Sequence, residues 1–158
     1  SLGEIYGAIY TWSAVMNGAP SSASNPSGVQ GVCPDGWHVP SDSEWKELEM
    51  SLGMSQESAD SIIWRGTDEG GKLKATGFDY WSINNTGATN SSNFDARAGG
   101  VRDGDGFKYL GKHSFFWTST EYNFSGSIWR RRLDDVEKRI NRIYYDQHRG
   151  YYVRCLKD

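Results

Sequence analysis

The chain has 158 residues, 37% of them hydrophobic, 14% aromatic and 23% charged, with 19 glycines and a formal net charge of −3. This composition argues against a helical bundle and points to one compact domain, residues 1–158, with many turns and a core filled by large rings. So small a charge gives no whole-chain attraction to nucleic acid or membrane, and no apolar run approaches the roughly 18–20 residues that span a bilayer.

In chain order, Thr11 to Gly18 reads as a short helix, with Thr11 as N-cap, Gly18 as the stop, and Trp12, Val15 and Met16 on one buried face. Ala19 to Gly28 has loop composition. The best-marked element follows: Ser41 and Glu44 form a capping box, Asp42 adds charge to the first turn, and Trp45, Leu48 and Leu52 make an apolar stripe that Gly53 ends. Ser58 to Trp64 reads as a further short helix or an irregular segment. From Gly70 to Gly111, glycine, asparagine and serine dominate, which predicts long loops without regular structure, pinned by the rings Phe78, Tyr80, Trp81 and Phe94. Phe115 to Thr120 and Ser127 to Leu133 are β-prone, and Tyr151 to Leu156 reads as a closing strand. Between them, Asp134 to Tyr145 is ambiguous, because Val136, Ile140, Ile143 and Tyr144 also fit helical spacing. The sum is α+β, with helices early, loops in the middle and antiparallel strands late.

Cys33 and Cys155 are the only cysteines, and two readings of them stand. One is a disulfide formed in an oxidising compartment; the other is a pair of buried free thiols. A bond would close a loop of over a hundred residues, for which the chain-entropy model credits roughly 4–5 kcal/mol. No signal peptide or lipid-anchor cysteine is visible at Ser1-Leu2-Gly3, so export is inferred from the cysteines alone.

The run Cys33-Pro-Asp-Gly-Trp-His-Val-Pro-Ser-Asp-Ser-Glu-Trp45 resembles the hallmark of the Fibrobacter succinogenes major paralogous domain, a family abundant in exported proteins of Bacteroidetes and relatives. Later blocks agree in order: Tyr10-Thr-Trp with Ala14 and Met16-Asn17, Gly70-Gly-Lys-Leu-Lys74, Ala88-Thr-Asn-Ser-Ser92, Gly99-Gly100 with Arg102-Asp103-Gly104, Trp117-Thr-Ser-Thr-Glu121 and Val153-Arg-Cys-Leu-Lys-Asp158. The resemblance implies a C-type lectin-like fold, in which two helices flank a small twisted antiparallel sheet with long loops. It also implies neighbouring termini, which would let Cys33 reach Cys155. Some members of that fold are the variable proteins of diversity-generating retroelements, in which the segment after a Trp-Ser/Thr-Ser-x-Glu block is rewritten through adenine-rich codons.

That implication directs attention to Tyr122 to Tyr152. Residues 128–154 carry seven arginines and Lys138 against four acidic residues, a net +4 that leaves −7 on the rest of the chain. Arginine and tyrosine dominate binding hot spots, so this segment is the expected binding surface for a protein or glycan partner. Its candidate contacts are Tyr122, Phe124, Arg130, Arg132, Asp134, Asp135, Asn141, Ile143, Tyr144, Tyr145, Asp146, His148 and Tyr152. Arg130, Arg132, Asp134, Asp135, Ile143, Tyr144, Tyr145 and His148 are each reachable from an asparagine codon by changing adenines, whereas Trp129, Glu137, Lys138 and Gln147 are not. Trp117 and Trp129 are expected in the core. The blander alternative is a solvated strand pair in a structural module of an envelope protein, with no dedicated ligand site.

Other chemistry has little support. His38, His113 and His148 are isolated and lack metal-ligand spacing, and His38, beside a helix cap, is expected to make a structural hydrogen bond. Asp103-Gly-Asp-Gly106 lacks the further acidic positions of an EF-hand. The formylglycine-generating relatives need reactive cysteines, and a disulfide would consume both available here. The arginine-rich segment is interrupted by Asp134, Asp135 and Glu137, which argues against nucleic acid. The expectation is a non-enzymatic recognition domain without cofactor or metal, located extracellularly, on a cell surface or on a phage particle; no residue pattern fixes an oligomeric state.

Overall fold

In the computed structural model, which describes residues 1–158, short helices precede and interleave with antiparallel strands in an α+β arrangement. The helices are α1 (Leu2–Tyr6), α2 (Trp12–Met16), α3 (Asp42–Ser51), α4 (Gln56–Asp60) and α5 (Glu69–Leu73). The strands are β1 (Trp37–His38), β2 (Ile63–Arg65), β3 (Val101–Asp103), β4 (Gly106–Lys108), β5 (His113–Tyr122), β6 (Ser127–Asp134), β7 (Ile140–Asp146) and β8 (Leu156–Lys157). The main sheet has the order β2-β7-β6-β5, and the pairs β1-β8 and β3-β4 stand apart from it.

The capping box that starts α3 is present in full. The Ser41 hydroxyl accepts from the Glu44 amide at 3.2 Å, and Glu44 Oε2 accepts from the Ser41 amide at 2.8 Å. Helix α2 also forms, with two differences from expectation. The Thr11 side chain makes no capping bond, and Asn17, at a φ of 48°, ends the helix before Gly18. Asparagine tolerates that left-handed conformation because its side chain hydrogen-bonds locally. Helix α1 had no recognised signal.

Four further expectations are corrected or resolved. The stretch Ser58–Trp64 holds the end of α4 and the start of β2, divided at Ser61 by extended backbone. The middle of the chain contains α5 and the β3-β4 hairpin, and Phe78 is exposed, not buried. The ambiguous Asp134–Tyr145 segment becomes a turn and strand β7, because pairing with β6 in the register Arg131↔Arg142 and Trp129↔Tyr144 outweighs its helical spacing. The closing segment is shorter than expected: Tyr151 and Tyr152 make single bridges to Tyr10 and Phe116, and only Leu156–Lys157 pairs as a strand.

The disulfide reading holds. Cys33 and Cys155 are bonded across a separation of 122 residues, and no cysteine is free. Glycines at 70 and 71 permit another close approach, since a Cβ on Gly71 would lie 2.0 Å from the Gly87 carbonyl oxygen and one on Gly70 would lie 2.3 Å from that of Arg139. Next to them, buried Lys74 donates to the carbonyls of Thr86, Asp134 and Glu137 at 2.8, 2.8 and 3.0 Å. It thereby shapes the β6-β7 connection.

Apolar clusters lie on both faces of the sheet. Trp45 of α3 packs with Phe94, Phe116, Leu133 and Ile140 on one face. Val15 and Met16 of α2 join Phe115, Trp117, Ile128 and Tyr151 on the other. Between α3 and the first face sits a buried ion network. Arg131 reaches Asp42 Oδ1 at 2.7 Å and Glu49 Oε1 at 2.5 Å, Arg142 grips both Asp42 oxygens at 2.9 and 2.7 Å, and Arg65 bonds the second Glu49 oxygen. Burial alone would raise the Asp42 pKa, but the guanidinium charges and hydrogen bonds hold it well below the usual carboxylate range. Burial pushes Arg65 down to about 10, with the like charge of Arg131 adding to the shift.

Removing one partner from such a network strands the others. Glu49→Leu leaves Arg65 and Arg131 without their shared carboxylate and is expected to cost about 3–5 kcal/mol. Thermal unfolding followed by calorimetry should then show a midpoint roughly 10 °C lower. An unchanged midpoint would show that the network contributes nothing net.

Candidate functional site

Because side chains alternate along a strand and directly opposed residues share a face, the register sorts the C-terminal segment without ambiguity. Arg131 and Arg142 point at α3, as do Trp129 and Tyr144. Their neighbours Arg130, Arg132, Asn141, Ile143 and Tyr145 therefore belong to the opposite face, with Phe115 and Trp117 of β5 and Trp64 of β2. Helix α2 and Tyr151 cover part of that face. What remains is a cavity of about 200 Å³ lined by Tyr109, His113, Phe115, Arg130, Arg132, Tyr145, Arg149, Tyr151 and Val101.

The cavity is cationic and aromatic. Arg130, only 5% exposed, donates from Nη1 to Asn141 Oδ1 at 3.0 Å, and its guanidinium lies over Phe115 and Tyr145 at 5.2 and 5.8 Å. Arg149 lies 4.2 Å from the Tyr145 ring centroid. Arg132 is paired with Asp134, whose oxygens accept from its Nε and Nη2 at 2.6 Å each, and His113 Nδ1 sits 2.5 Å from the same carboxylate. Burial would raise the Asp134 pKa, but bonds from His113 and Arg132 bring it below the ordinary value. Tyr109 and Tyr145 form the rim, 49% and 38% exposed.

The predicted contacts therefore divide. Arg130, Arg132, Asn141, Ile143 and Tyr145 share one face, with Asp134 buried beneath them as the partner of Arg132. Tyr122 and Tyr144 lie on the α3 side, stacked in parallel at 3.8 Å against Trp129, which is half-buried, whereas Trp117 is in the core as expected. Phe124, 93% exposed, caps the β5-β6 turn, and Asp146 accepts from the His148 amide at 2.8 Å in the exposed turn after β7. Two placements are corrections. Asp135 is buried in hydrogen bonds from Ser82 and Asn84, because it anchors the middle loops. Tyr152 belongs to the core, where its hydroxyl donates to the Gly99 carbonyl at 2.9 Å.

Sequence reading missed Tyr109, His113 and Phe115 as cavity residues and did not single out Arg149. Strand alternation from Phe115 back to His113 was the available signal, whereas Tyr109 arrives from a loop after β4 that no pattern marked.

A family model described as the Fibrobacter succinogenes major domain matches residues 1–157. The chain belongs to this family. Among curated proteins and solved structures, none matches it.

A second cluster in this Fibrobacter succinogenes major domain has catalytic-looking chemistry. His38 on β1 lies between Glu44 and Asp158, each carboxylate 2.6 Å from one ring nitrogen. With both nitrogens engaged, the imidazole is held as a structural cation and has no free lone pair to act as a base. Burial would lower its pKa, but the hydrogen bonds and charges of Glu44 and Asp158 outweigh that and raise it above 6.5. A raised histidine pKa stabilises the fold fully below the unfolded value, and the gain is lost as pH rises through the folded value. Denaturant unfolding should therefore show stability falling above pH 6.5, and His38→Gln should remove that component of the slope. A His38→Gln profile superimposable on the wild type would contradict the assignment.

Proposed function

We propose that this chain is a non-enzymatic recognition domain of C-type lectin-like fold that binds a protein or glycan partner through the β5-β6-β7 face opposite α3. The observation that carries this reading is the convergence of Arg130, Arg132, Arg149, Tyr109 and Tyr145 on one concave site. Those residue types combine contact area with directional hydrogen bonds, and the sheet beneath holds them rigidly. The fold assignment is supported by helices flanking a four-stranded antiparallel sheet, a loop-rich middle, and a disulfide joining the β1 region to the end of the chain. A site that acts by surface complementarity also suits a chain whose two cysteines are both consumed in that disulfide.

Export, to the extracellular space, a cell surface or a phage particle, is the location the disulfide favours. No helix is long and apolar enough to cross a membrane. Diversification by a retroelement is the sharpest form of the proposal, and four of the codon-accessible residues, Arg130, Arg132, Ile143 and Tyr145, lie on the proposed face. The structural-module reading draws on the same segment, because Arg131, Arg139 and Arg142 spend their charge on ion pairs within the fold.

Glycan and cell-surface protein arrays discriminate the two. Recognition predicts saturable binding to a subset of ligands, weakened at least about tenfold by the combined Tyr145→Ala, His148→Ala and Arg149→Ala changes, none of which opens the core. Absence of binding favours the structural module, and binding unaffected by the triple variant moves the site off this face.

A further inference from the structure

Every other deeply buried charge in the sheet has counter-charges. Arg131, Arg142 and Arg65 meet Asp42 and Glu49, and Asp134 meets Arg132. Arg130 is the exception. Its single side-chain hydrogen bond goes to the neutral amide of Asn141, its buried Nε has no acceptor, and no carboxylate lies within ion-pair distance. Burial pushes its pKa down to about 10, with the like charge of Arg132 adding to the shift. Arg149, also on the cavity wall, makes no ion pair, and its guanidinium rests on the Tyr145 ring. The cavity therefore presents two guanidiniums without carboxylate partners and a third, Arg132, that is already neutralised.

A guanidinium fork with open N–H donors matches a carboxylate in two parallel bonds. The walls narrow the class further. Tyr109 and Tyr145 stand exposed at the rim over a charged floor, and aromatic rings in that position suit the C–H face of a pyranose, with their hydroxyls free to bond sugar hydroxyls. About 200 Å³ accommodates one sugar ring with its acid group and is too small for a helix or a folded segment.

We propose that this cavity binds the carboxylate of an acidic sugar, a hexuronic acid unit of a surface polysaccharide, with Arg130 as the carboxylate receptor, Arg149 as the second cation, and Tyr109 and Tyr145 as the ring platform. This deepens the recognition reading and rests on it.

The test is an NMR titration of the full chain with D-glucuronic acid, D-glucose, acetate and N-acetylaspartate, following the side-chain Nε–H signal of Arg130. The expected result is a saturable shift of that signal with glucuronic acid, affinity about tenfold or more weaker for glucose and for acetate, and loss of the response to glucuronic acid in Arg130→Met. Arg130→Lys, which keeps the charge without the fork, should bind at least about tenfold more weakly than wild type. Tyr145→Ala and Arg149→Ala alter only the rim and should each weaken binding, which keeps the proposal testable if Arg130→Met folds poorly. Equal binding of glucose and glucuronic acid, or no saturable response to glucuronic acid, overturns the anion assignment. N-acetylaspartate binding as tightly as glucuronic acid overturns the sugar assignment. Array binding that the rim variant abolishes, together with no response to glucuronic acid, would sink this inference alone and leave the recognition face standing.

Discussion

The ion network between α3 and the sheet is the constraint from which the proposed binding face follows. Two carboxylates, Asp42 and Glu49, bind three guanidiniums, those of Arg65, Arg131 and Arg142, in space closed to water. Such a cluster adds little net stability over apolar packing of the same volume, but it tolerates no alternative pairing. A one-residue slip of β6 or β7 would turn Arg131 or Arg142 to the far face and leave buried carboxylates without partners. The network therefore specifies register, and register decides which side chains line the cavity proposed for binding.

Period-two alternation then gives adjacent residues opposite roles. In the run Arg130-Arg131-Arg132, the middle residue is inside the scaffold and its two neighbours point into the cavity. Arg132 is neutralised by Asp134 and serves as part of the wall. Arg130 keeps its charge among rings, with one amide for company. A buried charge with so little compensation lowers stability, and functional sites are where such a cost is retained. The Cys33 end of the disulfide and α2 pack on the same face beside the cavity, through Val15, Met16, Cys33 and Tyr151.

Much of the frame was legible in the sequence, because it depends on local rules. The Ser41–Glu44 box, the β5 and β6 strands and the two cysteines each carry a signal within a few residues or by count. Strand β7 was not legible, since Ile140, Ile143 and Tyr144 fit helical spacing, and only pairing with β6 puts Ile143 on the face opposite Ile140 and Tyr144. The face itself was half legible. Arg130, Arg132 and Tyr145 were identified by type, but Arg131 and Arg142 have the same chemistry and were separated from them only by register. Asp135 and Tyr152 were misplaced for a similar reason: their partners, Ser82 and Gly99, lie 53 residues away in each case.

The central claim is that neighbouring arginines of β6 do opposite work, one holding the fold and one held by it for binding. Parallel thermal unfolding of Arg131→Met and Arg130→Met tests it most directly. The account predicts that Arg131→Met loses about 3–5 kcal/mol, because it breaks the buried network, while Arg130→Met stays within about 1 kcal/mol of wild type. Equal losses, or a larger loss for Arg130→Met, would contradict it.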